Sequence, residues 1–349
     1  MPDMSFLVGF SADFLDENRQ FIFPDIGLNV LDAHPDVAYE FLADYRPEYV
    51  PAQLNRLDVL ISLKPCVTAS SLEDVDRLCA IGRCGVGYDN VDLKACTERD
   101  IAVFITPAGV MRPMAESIVL LVLALSHNLV RKDRLVRLGR WSASTRPLRR
   151  EPRGRTIGTI GLGNIAREAV RLLAAFDVGR FLAFDPFVAP DQARSLKVEL
   201  VGLDELLQTS DYVLVNCPLT TSTRHLIGER ELRLMKNSAV LINTARGSIV
   251  DQSALIRALE EQWIRAAALD VFENEPLEES SPLLKFENVI LTSHSIGWTE
   301  ELFRDMGRID CEGALAVRRG EPPANVVNPE VLVREGFRRK LQSYRERAR

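Results

Sequence analysis

The sequence predicts an α/β protein with two doubly wound parallel-sheet domains. Short apolar runs rich in β-branched residues alternate with stretches of helical periodicity over most of the chain, the rhythm of strand–helix–strand units. Residues 156–185 read as strand, glycine turn, helix, strand and acid. The run DVLISL at 58–63 faintly echoes DYVLVN at 211–216, which suggests two similarly wound domains rather than a short repeat. A length of 349 residues is ample for two domains of ordinary size.

In the first domain, Phe6–Phe10 (FLVGF), residues 58–63 and residues 101–105 (IAVFI) read as strands, with helical patterns between them, for example over 70–79. Residues 15–35 lack periodicity and read as irregular. Residues 106–109 (TPAG) break the pattern and start a crossover. Residues 111–129 then form an apolar helix. Its run IVLLVLAL at 118–125 is flanked closely by Glu116, Ser117, Ser126 and His127. That is too short for a bilayer span and suits a helix buried between domains. Residues 131–153 are basic, carrying Arg131, Lys132, Arg134, Arg137, Arg140, Arg146, Arg149, Arg150 and Arg153, and read as a solvated connecting surface.

The second domain opens with the strand 157–160. Its helix carries Ile165, Ala169, Leu172, Leu173 and Phe176 at helical spacing, and a second strand covers 181–184. Further strands are read at 211–218, 239–243, 266–272 and 289–292. Asp251 is the expected N-cap of a helix carrying Leu255, Leu259 and Trp263. A helix from Thr299, with Glu300 and Glu301 suited to its positive end, carries Leu302, Met306, Ile309 and Gly313 and returns to the first domain. The basic tail 334–349 reads as a solvated amphipathic helix.

Composition narrows the function classes. Apolar residues make up 46% and charged residues 26%, as in ordinary globular proteins, and the net charge of −6 gives no reason to invoke nucleic acid or an anionic membrane. The six cysteines form no CxxC pair and no metal-ligand spacing with the four histidines, so no metal is expected. Reduced thiols and an N-terminus without a basic region, MPDMSFLVGF, point to a cytoplasmic protein.

The 156–185 unit has the chemistry of dinucleotide binding. Gly161 permits a tight turn out of the strand, Gly163 permits close approach of a pyrophosphate, and the helix starting near Asn164 offers N–H groups and a positive dipole end. Ala166 stands at the third glycine position, which the fingerprint allows. Asp185 lies where a carboxylate accepts the ribose 2′-hydroxyl. Pro186, Phe187 and Val188 follow it, so no basic side chain waits for a 2′-phosphate, and NAD is expected rather than NADP. In an open parallel sheet, ligands lie beyond the carboxyl ends of the strands. Gly161, Asp185, Cys217-Pro218, Thr244 to Arg246, Asp270 and Ser293-His294 all follow or close a strand and are expected along one edge. Among them Arg246 suits a carboxylate or carbonyl, and His294 suits acid/base work with Glu275 as a neighbouring carboxylate. The loop 82–92 (GRCGVGYDNVD) can hold a small anion on main-chain N–H groups, or serve as a structural turn.

Taken together, GRCGVGYDNVD, the segment 113–120 with Ala115-Glu116, Gly139-Arg-Trp141, GLGNIA, CPLTTSTRHLI, NTARGSIVD, ALDVFENEP and SHSIGWT resemble, in this order, the D-isomer-specific 2-hydroxyacid dehydrogenases. The resemblance covers about residues 55 to 328. It implies a discontinuous flavodoxin-like substrate domain (1–107 and 298–349), a Rossmann NAD-binding domain (108–297), a cleft between them, and a homodimer formed through the cofactor domain. It implies that Arg246 binds and polarises the substrate, that His294 is the general acid/base assisted by Glu275, and that Val86 and Gly87 donate N–H groups to the substrate carboxylate. Cofactor contacts fall to Gly161, Gly163, Asn164, Ile165, Asp185, Cys217, Pro218, Thr223, Thr244, Ala245, Asp270 and Gly297. The implied reaction is reversible reduction of a 2-oxo acid to a D-2-hydroxy acid. Corepressor-like NADH sensors keep the same Arg, Glu and His, so a regulatory protein is the alternative. Two departures stand out: Ser293 replaces the proline common before the histidine, and Arg112 could serve a second anionic group or be an exposed arginine.

Overall fold

The computed structural model describes residues 6–145 and 150–347; Arg146 and Arg149 of the basic stretch and the last two residues of the tail lie outside the described residues. Two compact units result, Met1–Val110 with Trp298–Arg349, and Met111–Gly297.

The first unit holds strands β1 (Phe6–Phe10), β2 (Val37–Phe41), β3 (Val59–Ser62), β4 (Ala80–Arg83) and β5 (Ala102–Ile105), in the order β2-β1-β3-β4-β5. Every pairing is parallel. A parallel sheet is covered on both faces, so its strands are continuous apolar runs, and β3 is buried throughout. Two strands escape the sequence reading. β2 is a half-buried edge strand containing Glu40, and β4 is only four residues long with Gly82 inside it, which weakens its strand signal. The helical expectation at 70–79 fails. Only a 3₁₀ turn forms, at Ser70–Leu72, and Asp74 has φ 55, which no helix accommodates. Leu72, Val75 and Leu78 still reach the core, through turns.

The tail is anchored, which the expectation of a solvated helix missed. Phe337, Leu341 and Tyr344 of the Glu335–Arg347 helix are buried at helical spacing. The fully buried Asp58 carboxylate accepts hydrogen bonds from the Tyr344 hydroxyl (2.8 Å), Arg77 Nε (2.9 Å) and Nη2 (2.5 Å), and the Leu7 N–H (2.7 Å). Lys340 donates to the carbonyls of Leu78 (2.8 Å) and Arg99 (3.1 Å). A buried ion pair of this kind costs about 3–5 kcal/mol when one partner is removed, because the other is left charged and unsatisfied.

The second unit is a seven-stranded parallel sheet: β6 (Thr156–Ile160), β7 (Arg180–Phe184), β8 (Val198–Leu200), β9 (Tyr212–Val215), β10 (Val240–Asn243), β11 (Ala266–Leu269) and β12 (Val289–Leu291). Their order is β12-β11-β10-β9-β6-β7-β8. The chain runs outward from β6 to β8, then resumes on the other side of β6 at β9, so the order reverses between β6 and β9. Apolar clusters cover both faces. The break expected at 106–109 is a helix start: Pro107 occupies the first turn, where its missing N–H costs nothing, and the helix runs Pro107–His127. It is long and apolar enough to cross a bilayer by length and composition, but half of its most apolar window is buried in the fold. Ala115, Ile118, Leu121, Val122 and Leu125 lie in the second unit's core. Asn128, with φ 57, ends it, and the helix Leu129–Arg137 follows. The Asp251 cap is as read, its carboxylate accepting the Ala254 N–H (2.9 Å); at the start of the next long helix the Thr299 hydroxyl accepts the Leu302 N–H (3.1 Å).

Candidate functional site

Because all seven strands of the second unit are parallel, the loops at their carboxyl ends share one edge. The loops after β6 and β9 meet where the strand order reverses, which is where ligands enter such sheets. Gly161 has φ 93, and a Cβ there would lie 2.8 Å from the Asn216 carbonyl oxygen. The turn is tied down by its neighbours. Gly161 N–H donates to the Phe184 carbonyl (2.9 Å), the Thr159 hydroxyl to the Gly161 carbonyl (2.7 Å), and Asn216 Nδ2 to Thr159 Oγ1 (2.9 Å). Gly163 is different. It is the N-cap of the Asn164–Leu173 helix, its backbone is extended, and beyond its own chain neighbours nothing lies within 4 Å of where its Cβ would be. The space in front of the helix's first N–H groups, including those of Asn164 and Ile165, is therefore open on the Gly163 side. A bound pyrophosphate would need that opening.

Asp185 follows β7. Its Oδ2 accepts the Leu162 N–H (2.8 Å) and its Oδ1 the Phe187 N–H (2.9 Å), so the carboxylate stands against the glycine turn. Each oxygen can accept further bonds. Phe187 is exposed, and Arg180 at the far end of β7 pairs with Glu199 (2.7 Å). On the loop after β9, the Thr223 hydroxyl donates to the Pro218 carbonyl (2.7 Å) and accepts the Thr220 N–H (2.7 Å), which fixes the segment following Cys217-Pro218. Burial pushes the Cys217 thiol up to about 11, so it stays protonated at neutral pH.

The loops after β10, β11 and β12 bring the proposed acid/base group together. His294 Nδ1 and Glu275 Oε2 are 2.8 Å apart. Glu275 Oε1 accepts the Phe272 N–H (3.0 Å). Half-burial, the largest single influence on the Glu275 carboxyl, pushes it up. The bonds from His294 and Phe272 and the charges of His294 and Arg246 together outweigh it, and the net shift is below the usual glutamate range. Arg246 caps the Gly247–Ile249 turn in an extended conformation, and its Nη1 donates to the Ala245 carbonyl (2.8 Å). Asn243, the last residue of β10, brackets this segment by accepting the Ala245 N–H (3.1 Å) and donating to the Arg246 carbonyl (2.9 Å). Thr244 sits between them.

Asp270 is buried, and its Oδ1 accepts the Thr292 hydroxyl (2.6 Å) and the N–H groups of Ser295 (3.1 Å) and Ile296 (3.2 Å). Its own carbonyl accepts the His294 N–H (2.7 Å), and the Ser117 hydroxyl donates to the Ile296 carbonyl (3.0 Å). His294 itself has φ 55, unusual for a non-glycine residue. The surrounding bonds therefore hold the histidine loop in a conformation it would not adopt alone. Sequence reading assigned Asp270 to the cofactor; this part as organiser of the histidine loop has no sequence signal. The same holds for a second pair, His225 Nε2 and Glu273 Oε1 at 2.6 Å. Gly297 ends the second unit.

Val86 and Gly87 lie in the first unit, on the loop after β4. The Thr106 hydroxyl ties this loop's start by accepting the Gly85 N–H (2.8 Å). Arg112, considered for a second anionic group, is held by two carboxylates, Glu116 (2.5 Å) and Glu168 (3.0 Å), which compensate its charge. Arg171 and Arg112 together hold the Glu168 carboxyl down at about 2.

Comparison with known proteins follows the same lines. The family profile described as "D-isomer specific 2-hydroxyacid dehydrogenase, NAD binding domain" matches residues 119–295. The chain is similar to a glyoxylate reductase of Korarchaeum cryptofilum, 38% identical over 316 residues, which cover 88% of this chain and 94% of that one. It is also similar to a D-3-phosphoglycerate dehydrogenase of Methanocaldococcus jannaschii, 41% identical over 279 residues, covering 80% of this chain and 52% of that one. Among solved structures, an NADPH-dependent glyoxylate/hydroxypyruvate reductase from Sinorhizobium meliloti superposes with a TM-score of 0.79 at 26% identity, covering 94% and 98% of the two chains.

Proposed function

The chain belongs to the D-isomer-specific 2-hydroxyacid dehydrogenase family, and from that premise we propose that it interconverts a small D-2-hydroxy acid and its 2-oxo acid, with His294, Arg246 and Glu275 as its working groups. The observation that carries this is the 2.8 Å His294–Glu275 pair with Arg246 acting on the same carboxylate, on the sheet edge that also carries the open glycine turn.

The glycine turn suits a dinucleotide. Gly163, Asn164 and Ile165 would hold its pyrophosphate, Asp185 its adenosine ribose, and the loops carrying Cys217, Pro218, Thr223, Thr244, Ala245, Asp270 and Gly297 its remaining length. When bound, the nicotinamide supplies or accepts the hydride. His294 gives a proton to the carbonyl oxygen in the reductive direction and takes it back in the oxidative one. Glu275 accepts from His294 Nδ1, which fixes the orientation of the ring and leaves Nε2 to face the substrate. Arg246 stabilises the charge that develops on the oxygen. Val86 and Gly87 donate main-chain N–H groups to the substrate carboxylate.

Two finer points belong to the proposal. NAD is preferred, because a 2′-phosphate would meet the Asp185 carboxylate with no compensating cation in Pro186, Phe187 or Val188. The protein is a homodimer through the second unit: Leu129, Val130, Val136, Leu138 and Trp141 are all exposed along the Leu129–Arg137 helix and the turn after it, apolar side chains that a second copy would cover. Sedimentation at micromolar concentration is expected to give twice the chain mass, and a monomer would dismiss this point.

The deciding test is an assay with NADH and NADPH against a panel of 2-oxo acids headed by glyoxylate and hydroxypyruvate, on wild type and Asp185→Gly. Wild type is expected to favour NADH at least tenfold in kcat/KM, and the variant to lose most of that margin. An unchanged preference would remove Asp185 from its role. No turnover on any acid, with NADH binding retained, would move the reading to an NADH-sensing regulator.

A further inference from the structure

The helix Glu300–Arg318 buries Leu302, Phe303, Met306, Gly307, Gly313, Ala314 and Val317 in the first unit. At the position in this stripe where an apolar residue belongs stands Asp310. It has no exposed surface, and neither carboxyl oxygen has a hydrogen-bond partner of good geometry. Such a group is costly to keep and calls for an explanation beyond stability. Its location supplies one. Asp310 Oδ1 lies 2.7 Å from where a Gly82 Cβ would be, so glycine in β4 is what makes room for the carboxyl. Two residues on, β4 runs into the loop Cys84–Gly85–Val86–Gly87. The groups acting on Asp310 are the Cys84 thiol and the Arg83 guanidinium from β4 and the loop; Ile61 of β3 and Phe104 of β5 contribute only apolar atoms at Gly82. On its own helix the neighbouring titratable groups are Cys311 and Glu312, and Asp32 reaches Cys311 but not Asp310. Arg83 is turned toward the loop, donating to the Cys84 carbonyl and, through Nε, to Asn90 Oδ1 (3.4 Å).

We propose that Asp310 is a positioning residue for the Cys84–Gly87 loop: uncharged, it lets the loop's N–H groups hold the carboxylate of the substrate, and charged, it opposes them from behind. This rests on the assignment of Val86 and Gly87 to the substrate carboxylate made above. Burial pushes the Asp310 carboxyl up to about 8, against a smaller opposing pull from Cys84 and Arg83, so the switch between the two states falls within the working range of an enzyme. Linkage then makes substrate binding and proton retention by Asp310 mutually favourable.

The test is the KM for glyoxylate, whose carboxylate is ionised throughout, measured from pH 6.5 to 9.5 with saturating NADH in wild type, Asp310→Asn and Asp310→Leu. In wild type KM should rise about fivefold between pH 7 and pH 9, the order of effect that one added negative charge has on an anion held nearby in a partly polar medium. Both variants should lose that rise, while the pH dependence of KM for NADH is the same in all three. Any contribution of His294 is common to the three proteins and cancels in the comparison. An equal rise in wild type and variants, or a flat wild-type profile, would overturn the proposal; the second needs no variant to fold. A wild type that turns over glyoxylate but shows either result sinks this inference alone, whereas one that turns over no 2-oxo acid removes the underlying assignment as well.

Discussion

His294→Asn is expected to lower kcat for 2-oxo acid reduction by about 10²–10⁴-fold, the usual yield of a positioned general acid. The asparagine keeps a polar group on a loop whose shape is set by Asp270 rather than by the imidazole, since the Asp270 carboxylate takes Thr292, Ser295 and Ile296 and its carbonyl takes the His294 N–H. The loop should therefore survive, and NADH binding measured by fluorescence titration should stay within about twofold. That pairing of lost turnover with retained binding distinguishes chemistry from damage. Near-normal kcat would end the assignment. Glu275→Gln should cost less, about 10–100-fold, because the ring keeps a hydrogen-bond partner of the same shape while an anionic one is lost. A depressed carboxyl stays ionised at neutral pH, so the pair with His294 is intact there and is lost only as pH falls below the ordinary glutamate range of about 4.3.

The glycine turn gives the second large effect, through a contrast between two neighbours. Gly161→Ala is expected to destabilise the second unit by about 1–3 kcal/mol or more, since φ 93 is strained for alanine and its methyl would press on the Asn216 carbonyl. Gly163→Ala places its methyl in open space on an extended backbone and should leave the thermal midpoint within about 1 °C. Its effect should appear only when a ligand arrives, as a rise of about tenfold or more in the KM for NADH. If Gly163→Ala bound NADH like wild type, the pyrophosphate would not lie where the helix N-terminus points.

Local features were legible because their causes are local. The strands at Phe6–Phe10 and 157–160 announce themselves as short apolar runs, Asp251 as a cap, Thr299 as a helix start, and Gly161 as a turn only glycine can make. Where a signal was weak or mixed, reading failed. β4 hid behind Gly82, and β2 is an edge strand carrying a glutamate. Residues 70–79 have a helical spacing that turns satisfy equally well, and Pro107 opens a helix where its chemistry suggests a break. On the Glu300–Arg318 helix the stripe was read through Ile309, whereas the fold buries Asp310.

By itself, the sequence determined the α/β class, the order of the motifs, the dinucleotide turn and the identity of the acid/base candidates, because period, backbone permissiveness and side-chain chemistry belong to short stretches of chain. Only the tertiary structure decided which of those stretches meet. Parallel register set the strand ends side by side and so brought Glu275 to His294. Asp270 closed the histidine loop, Asp58 received the tail, and Gly82 opened the space that Asp310 fills. Hydrogen bonds between distant residues and the removal of charges from water depend on what packs against what, and no window of sequence contains both sides of such a contact.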